Sequence, residues 1–341
     1  MKGRQIVIER APNGRTRAAL TLDGRLDDLL IDPLPGEVAP APEAIYAARV
    51  ERLVPGMGAA FVRLDAEHTG FLREAKGVRE GERLLVQVIS FAEAGKAVPV
   101  TRRLLHKTRT VIATPSAPGI NVSRQIRDEA ERARLIGVAE AALAKTHPKD
   151  PPGLILRSLA EGAEAETLRA DLQEALAAAS LHWQEPGLVR PAPDAAALAQ
   201  REWAGPVSEA GFDAHGLLDA LDTLATPNAA LPSGGWIAVE PTRALTAVDV
   251  NTAGAFAGAA ALTANLEAAR ETLRQLRLRG LGGVVAIDFA PLAKKDRRRL
   301  EEALKSSVKR DPVETSLAGW TPLGLFELQR KRERRPTAGL L

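Results

Sequence analysis

Short runs in which apolar and polar residues alternate with a period of two occupy the first part of the chain. Further on the spacing changes to three and four, so the pattern predicts strands first and helices later. Gln5–Glu9 and Arg17–Leu22, separated by a turn at Gly14, read as two strands that cannot form a domain alone and need a partner elsewhere in the chain. Beyond Pro33, Pro35, Pro40 and Pro42, alternation returns in Ile45–Leu53, Ala59–Leu64, Thr69–Arg73 and Leu84–Phe91, each bounded by glycine or charged turns. That predicts a small closed or partly open barrel of the oligonucleotide-binding (OB) type. Arg124–Lys145 and Ala163–Ser180 carry helical spacing on either side of a short apolar strand, Gly153–Leu156, which predicts a compact α/β unit. The stretch 184–230 is rich in Ala and Pro with weak periodicity, and reads as a partly ordered connection.

The last third is specified more sharply. Trp236–Glu240 and Ala244–Asn251 read as strands joined by a turn at Pro241–Thr242. Leu262, Leu266, Ala269, Leu273 and Leu276 form one apolar stripe, predicting a helix over Ala259–Arg279 that Gly280 ends. Arg270, Arg274 and Arg277 follow the same steps one residue later, as a basic stripe beside the apolar one. Leu281–Phe289 reads as a buried strand and Lys294–Lys309 as a helix with a basic start. No tandem repeat is visible.

Length and charge narrow the picture. At 341 residues the chain has room for two or three domains, and with 45% hydrophobic residues it can build ordinary cores. The net charge of +3 excludes a uniformly basic nucleic-acid coat. The surplus is local instead: from Leu266 to Leu341 there are 17 Lys/Arg against 10 Asp/Glu, so the positive field belongs to the C-terminal quarter. The absence of cysteine removes disulfides, thiol catalysis and Cys-ligated metals, and fits a cytoplasmic protein. Met1–Asn13 has only a three-residue apolar run, too short for a signal peptide, and the longest apolar stretch, Leu281–Ala293, is interrupted by Asp288. A membrane span needs about 20 apolar residues, so a soluble protein is expected.

Candidate chemistry sits on the predicted strands of the last third. Asp249 and Asn251 are two apart, so their side chains leave the same strand face. Asp288 ends the apolar run Val284-Val285-Ala286-Ile287, where a charge is costly unless paired or bound to a cation. Two carboxylates and a carboxamide from neighbouring strand ends make a hard oxygen site suited to Mg²⁺. Spacing alone favours the plainer reading, in which Asp288 caps the following segment and Asp249-Val250-Asn251 simply closes a strand. The arginine stripe and the cluster Lys294, Lys295, Arg297, Arg298 and Arg299 would draw a phosphodiester to such a site, although any one such run also fits a solvated helix face. The final run Arg330–Arg335 reads either as another phosphate-binding segment or as a disordered tail. In the barrel, Phe61 and Phe71 lie on different strands with Lys96 in a following turn, the combination on which OB folds stack bases, or simply core phenylalanines. The histidines His68, His106, His147, His182 and His215 are scattered with no close pair.

Several blocks then resemble, in order and spacing, the catalytic domain of the ribonuclease E/G family. They are Leu231-Pro-Ser-Gly-Gly235, Ala244-Leu-Thr-Ala-Val-Asp-Val-Asn251, Arg274-Gln-Leu-Arg-Leu-Arg279, Gly282-Gly283, Ile287-Asp-Phe289, and Pro322-Leu-Gly-Leu325 with Arg330-Lys-Arg332. The resemblance continues in the barrel, through Pro55-Gly-Met-Gly-Ala-Ala-Phe-Val62 and Gly70-Phe-Leu72, and in the next unit through Gly153-Leu-Ile-Leu-Arg-Ser158. It implies an α+β multidomain fold in which an OB-fold (S1-type) RNA-binding barrel at 36–103 is inserted in a truncated ribonuclease-H-like unit whose first strands are 1–35. A 5′-sensor α/β unit at 104–183, a shortened connection at 184–230 and a deoxyribonuclease-I-like catalytic domain at 231–341 complete it.

The resemblance also implies residue roles. Asp249 and Asp288 match magnesium-binding carboxylates, and Asn251 the asparagine that supports Asp249. Phe61, Phe71 and Lys96 match RNA-contacting positions; Arg157 and Ser158 match a pocket that reads a 5′-monophosphate, with Arg124 an accessory arginine. A terminal phosphate held by an arginine fork and a hydroxyl is sound chemistry. Read this way, the chain is expected to be a Mg²⁺-dependent endoribonuclease cutting single-stranded RNA to 5′-phosphate and 3′-hydroxyl ends, with Arg270, Arg274 and Arg277 neutralising phosphates. The alternatives are a non-catalytic RNA-binding protein derived from the family, and a phosphodiesterase acting on DNA or small nucleotides. The family's zinc-binding Cys-x-x-Cys pair is absent, so no zinc site is expected and any homodimer is not joined through zinc. Arg243 stands where the family commonly has Glu, a change expected near the active face.

Overall fold

A computed structural model describes residues 3–37, 39–93, 95–146, 149, 151–180, 183–254 and 258–341. His147 and His182 lie outside the described residues. The chain divides into two compact units: 1–38, 194–199 and 203–341 form one, and 39–193 with 200–202 form the other.

The first unit contains two sheets. In the smaller, Arg4–Arg10 runs antiparallel to Thr16–Leu22, which pairs in turn with Arg25–Ile31, while Val207–Ser208 joins the other edge in parallel. Arg25–Ile31 is a strand that the pattern did not predict, because Asp27 and Asp28 interrupt its apolar alternation. Each aspartate meets an arginine distant in sequence, Asp27 with Arg277 at 3.3 Å and Asp28 with Arg334 at 3.0 Å. The partner required by the first two strands is therefore supplied by later sequence. One sheet face packs Val7, Ala19 and Leu29 against Phe212, Leu217 and Leu221, and the other packs Ile6, Ala18 and Leu30 against Ala195, Ala199 and Trp203. The expectation of a partly ordered connection over 184–230 is corrected by the same contacts. This stretch holds the strand Gly187–Arg190, the helices Ala195–Glu202, Gly211–Ala214 and Leu218–Leu224, and the short strands Val207–Ser208 and Asn228–Ala230. Each element is too short to show a period of its own, and tertiary burial orders them.

The larger sheet has the order Asn228–Ala230, Trp236–Pro241, Thr246–Asn251, Gly283–Asp288, Phe326–Arg330, Thr315–Trp320. Thr246–Asn251 and Gly283–Asp288 are parallel, linked by the helix Ala259–Leu278; the other neighbours are antiparallel. Parallel neighbours need such a crossover. That helix and Lys294–Arg310 cover one sheet face, burying Ile237, Val239, Val248, Val285, Ile287 and Leu328 against Ala268, Leu273, Leu276, Leu300 and Leu304. Strict alternation sends every second side chain to the opposite face, where Trp236, Asp249, Asp288 and Gln329 are exposed. The crossover helix ends where a glycine was expected to end it. Gly280 has φ +63°, and a Cβ there would lie 1.9 Å from the Arg335 carbonyl oxygen, so no side chain fits.

The second unit holds a closed five-stranded barrel: Ile45–Val54, Ala59–Arg63, Thr69–Leu72, Val98–Thr101 and Arg83–Val88, with the last pairing back onto the first from Ile45–Gln87 to Arg49–Arg83. Val98–Thr101 was not predicted; Pro99 disguises it, since proline normally demotes a strand reading. The interior is filled by Val50, Val62, Leu64, Leu72, Val86 and Val100. In the same unit, His106–Lys107, Val111–Thr114, Gly153–Leu156 and Ile120–Val122 form a four-stranded sheet under the helices Glu129–Thr146 and Ala165–Ala179. The first of these helices starts later than its predicted Arg124, because Asp128 accepts the Glu131 backbone N–H at 2.7 Å and caps the N-terminus there. Among the described residues, no helix is long and apolar enough to cross a membrane.

Candidate active site and nucleic-acid interface

Asp249 and Asp288 are Cα partners on adjacent parallel strands, at the C-terminal ends of both. Partners in register project from the same face of a sheet whose strands lie about 4.8 Å apart, so the two carboxylates stand side by side. Both residues are exposed. The Asn251 Nδ2 donates to Asp249 Oδ2 at 2.6 Å, which fixes the carboxylate's rotation and leaves its other oxygen free of that bond. Among the described residues no cluster of three or more His, Asp and Glu side chains is placed to hold a metal. Two carboxylates open to water nonetheless fit magnesium, which keeps several waters and takes one or two protein carboxylates.

Local structure explains why these groups converge. Gly235 opens the strand opposite Asn251, and a Cβ there would lie 2.3 Å from the Asn251 carbonyl oxygen. Only glycine allows this approach. Immediately after Asn251 and Thr252, Ala253 has φ +51°, a conformation unfavourable for a residue with a side chain, of the kind that gathers at functional loops. Asn265, fully buried, donates from Nδ2 to the Ala290 carbonyl at 2.8 Å and accepts the Ala290 N–H at 3.0 Å, which ties the segment after Asp288 to the crossover helix. Sequence reasoning missed Asn265; its signal is a carboxamide on the apolar side of a helix.

The basic residues divide into two groups. Arg270 is exposed, but Arg274 and Arg277 turn into the protein, correcting the expectation that all three form one phosphate-facing stripe. Arg274 pairs with Glu271 and donates to the Leu26 carbonyl, and Arg277 pairs with Asp311 and Asp27. The strand Arg25–Ile31 packs over this part of the helix and supplies Leu26 and Asp27, whereas Glu271 lies one turn earlier on the helix itself and Asp311 ends the helix Lys294–Arg310. Burial alone would pull the Arg277 guanidinium down, and the charges of Asp311, Asp28 and Asp27 more than offset it, holding the group above its usual value. Arg330 is also internal, with a side chain 1% exposed and paired with Asp311 at 2.9 Å, so the Arg330–Arg335 run is neither a free tail nor a wholly phosphate-facing segment. By contrast, Lys294, Lys295, Arg298 and Arg299 are exposed at the start of the helix that follows Asp288. Arg297 stacks over Trp320, 4.5 Å from the ring centroid. Arg243 lies in the turn between Trp236–Pro241 and Thr246–Asn251, at the far end of the strand from Asn251, which corrects its expected place near the active face.

On the barrel, Phe61 and Phe71 are cross-strand partners, with ring centroids 5.3 Å apart and both rings half-buried. The Arg52 guanidinium lies 4.8 Å from the Phe61 centroid. Together they form an aromatic step carrying a cation, a combination that stacks nucleobases. Arg52 is a contributor that sequence reasoning missed. Lys96 is exposed in its turn and paired with Glu93 at 2.6 Å.

The α/β unit brings Arg124 and Arg157 close. Ile120–Val122 and Gly153–Leu156 are parallel, and the Ser123 N–H bonds the Leu156 carbonyl at 2.8 Å, so the two arginines follow neighbouring strand ends. Ser158 comes next and is partly exposed. Arg157 is already engaged, however, donating to the Thr108 carbonyl at 2.7 Å and pairing with Glu202. Burial raises the Glu202 carboxyl, yet the charges of Arg157 and Arg201 win and hold it below its usual value. A phosphate would have to displace that ionised carboxylate.

The model of the ribonuclease E/G family matches residues 107–186 and 199–333. Ribonuclease E of Nostoc sp. is 30% identical over 85% of this chain and 51% of that protein. Ribonuclease G of Salmonella typhimurium is 29% identical over 87% of this chain and 74% of its own, and that of Haemophilus influenzae 29% identical over 97% and 80%. The chain thus spans about half the length of the first relative and more of the others. A solved multidomain protein with nucleic acid binding domains from Streptococcus pneumoniae covers 48% of this chain and 60% of its own at 15% identity, with a TM-score of 0.18, too low to bear on the fold.

Proposed function

The chain belongs to the ribonuclease E/G family, and from that premise we propose that it is a magnesium-dependent endoribonuclease acting on single-stranded RNA in the cytoplasm. The observation that carries the proposal is the parallel register of Asp249 and Asp288, with Asn251 bonded to Asp249. These two carboxylates are the residues that would hold the ion. When bound, magnesium supplies positive charge that offsets the charge developing on the phosphoryl oxygens and makes a water acidic enough to attack phosphorus.

The chain's own residues do the rest. Asn251 holds the Asp249 carboxylate at one rotation, so that both acids present oxygens on the same side of the sheet. Lys294, Lys295 and Arg299, exposed after the Asp288 strand, attract the backbone of the substrate. Water attack with departure of the 3′-oxygen leaves a 5′-phosphate and a 3′-hydroxyl. The barrel binds single-stranded RNA through Phe61 and Phe71, with Lys96 and Arg52 as cations. Arg157, Ser158 and Arg124 form a 5′-phosphate subsite that is occupied only by displacing Glu202. In family terms the larger sheet with its two helices is the deoxyribonuclease-I-like catalytic domain, and the smaller sheet is the ribonuclease-H-like unit.

A defined single-stranded RNA, incubated with and without magnesium and analysed for its product ends, tests the reading. Cleavage is expected only with magnesium and is expected to be lost in Asp249→Asn and Asp288→Asn. Full residual cleavage in both variants removes the assigned roles, and RNA binding with no cleavage under any divalent ion identifies the non-catalytic reading instead.

A further inference from the structure

The sheet face that carries Asp249 and Asp288 also carries an indole. Trp236 is the Cα partner of Asn251, and Ala238 is the partner of Asp249, so Trp236 stands diagonally across from Asp249 on the same face. Diagonal cross-strand neighbours lie about 7–8 Å apart, within reach of an aromatic side chain. Trp236 is 38% exposed, in a strand whose next residue, Ile237, is fully buried on the other face. Ala238 and Ala286, on the same face beside the two aspartates, are small and leave the floor around the carboxylates open. A large flat ring left at the edge of an open polar site matches the chemistry of base stacking, which every nucleobase can satisfy through its π-face.

We propose that Trp236 is a base-stacking platform of the cleavage site: the nucleobase next to the scissile phosphate lies on its indole, and this places the phosphate over Asp249 and Asp288. The proposal rests on the ribonuclease reading and assigns that site a substrate-binding residue. It also gives Gly235 a second consequence, because the tight approach of Gly235 to Asn251 fixes where the next residue, Trp236, leaves the strand.

The test has two independent readouts. In the first, wild type, Trp236→Ala and Trp236→Tyr are assayed with magnesium on one RNA and on copies carrying a single abasic residue stepped through the cleavage site. Trp236→Ala is expected to lose about ten- to a hundredfold in kcat/KM, the factor one stacked base contributes, and Trp236→Tyr to recover most of it. One abasic position should slow wild type by a similar factor and leave Trp236→Ala without further loss. Cleavage by wild type with Trp236→Ala unimpaired, or with independent multiplying losses at every abasic position, overturns the proposal while the ribonuclease reading stands. In the second readout, single-stranded RNA is titrated without magnesium and tryptophan fluorescence is followed. Quenching in wild type that is absent from Trp236→Phe supports stacking; equal quenching in both overturns it. If wild type does not cleave RNA at all, the ribonuclease reading and the platform's place in a cleavage site fall together, whatever the fluorescence shows.

Discussion

Replacing Asp311 with Asn removes one negative charge and almost no volume from the interior of the first unit, so the effect isolates electrostatics from packing. The Asp311 side chain is 1% exposed. It accepts from Arg277, from Arg330 at 2.9 Å and from the Val313 N–H at 2.9 Å, so a single carboxylate compensates two guanidiniums. Those cations respond differently to the shared anion. Arg277 is held above its usual value because Asp28 and Asp27 add to Asp311, whereas burial, with Arg277 and Arg334 nearby, pulls Arg330 below its usual value. Removing one partner of a buried pair costs about 3–5 kcal/mol, chiefly by leaving the other charge uncompensated. For a unit of this size, where about 1 kcal/mol moves Tm by about 2–4 °C, the expected drop is about 6–20 °C. Differential scanning calorimetry or urea unfolding measures it. Arg330→Met should cost less, since Arg277 still compensates Asp311. It should also leave the salt dependence of RNA binding unchanged, because a side chain 1% exposed neutralises no phosphate. A loss below about 1 kcal/mol in Asp311→Asn, or a shallower salt slope in Arg330→Met, would refute the internal role assigned to this network.

His106 supplies a pH prediction. Burial, and then the charge of Arg190 whose Nη1 lies 2.9 Å from Nδ1, lowers its pKa from 6.5 to about 4. Between those values the unfolded chain binds the proton and the folded chain does not, so stability should fall as pH drops from about 6.5 to about 4, by no more than about 3 kcal/mol. His106→Gln should flatten that part of the profile, and an unchanged profile refutes the assignment. On the barrel, Phe61→Ala should weaken single-stranded RNA binding by about 1–3 kcal/mol, measured by fluorescence anisotropy at fixed salt; equal affinity for Phe61→Ala, Phe71→Ala and wild type would show that the aromatic step does not stack bases.

Elements with long or uninterrupted patterns were legible from the order of residues alone. The crossover helix, its end at Gly280, the strand bearing Asp249 and Asn251 and the strand ending in Asp288 all follow from periodicity, because burial on one face repeats at fixed intervals. The order of residues also singled out the acids and the amide as candidates for chemistry. What it could not determine is which strands become neighbours. Asp249 and Asp288 lie far apart in sequence, and only the parallel register makes them partners. The same limit hid Arg25–Ile31, whose acids look wrong for a strand until Arg277 and Arg334 arrive from the other end of the chain, and it hid Trp236, an ordinary strand residue until Asn251 lies beside it. Arg270, Arg274 and Arg277 are alike in sequence spacing, yet the first is left in water while the other two turn inward, Arg274 to Glu271 and the Leu26 carbonyl and Arg277 to Asp311 and Asp27. Local patterns record which face of an element is buried; the identity of what buries it, and so whether a charge meets solvent, substrate or an opposite charge, is a property of contacts between distant segments.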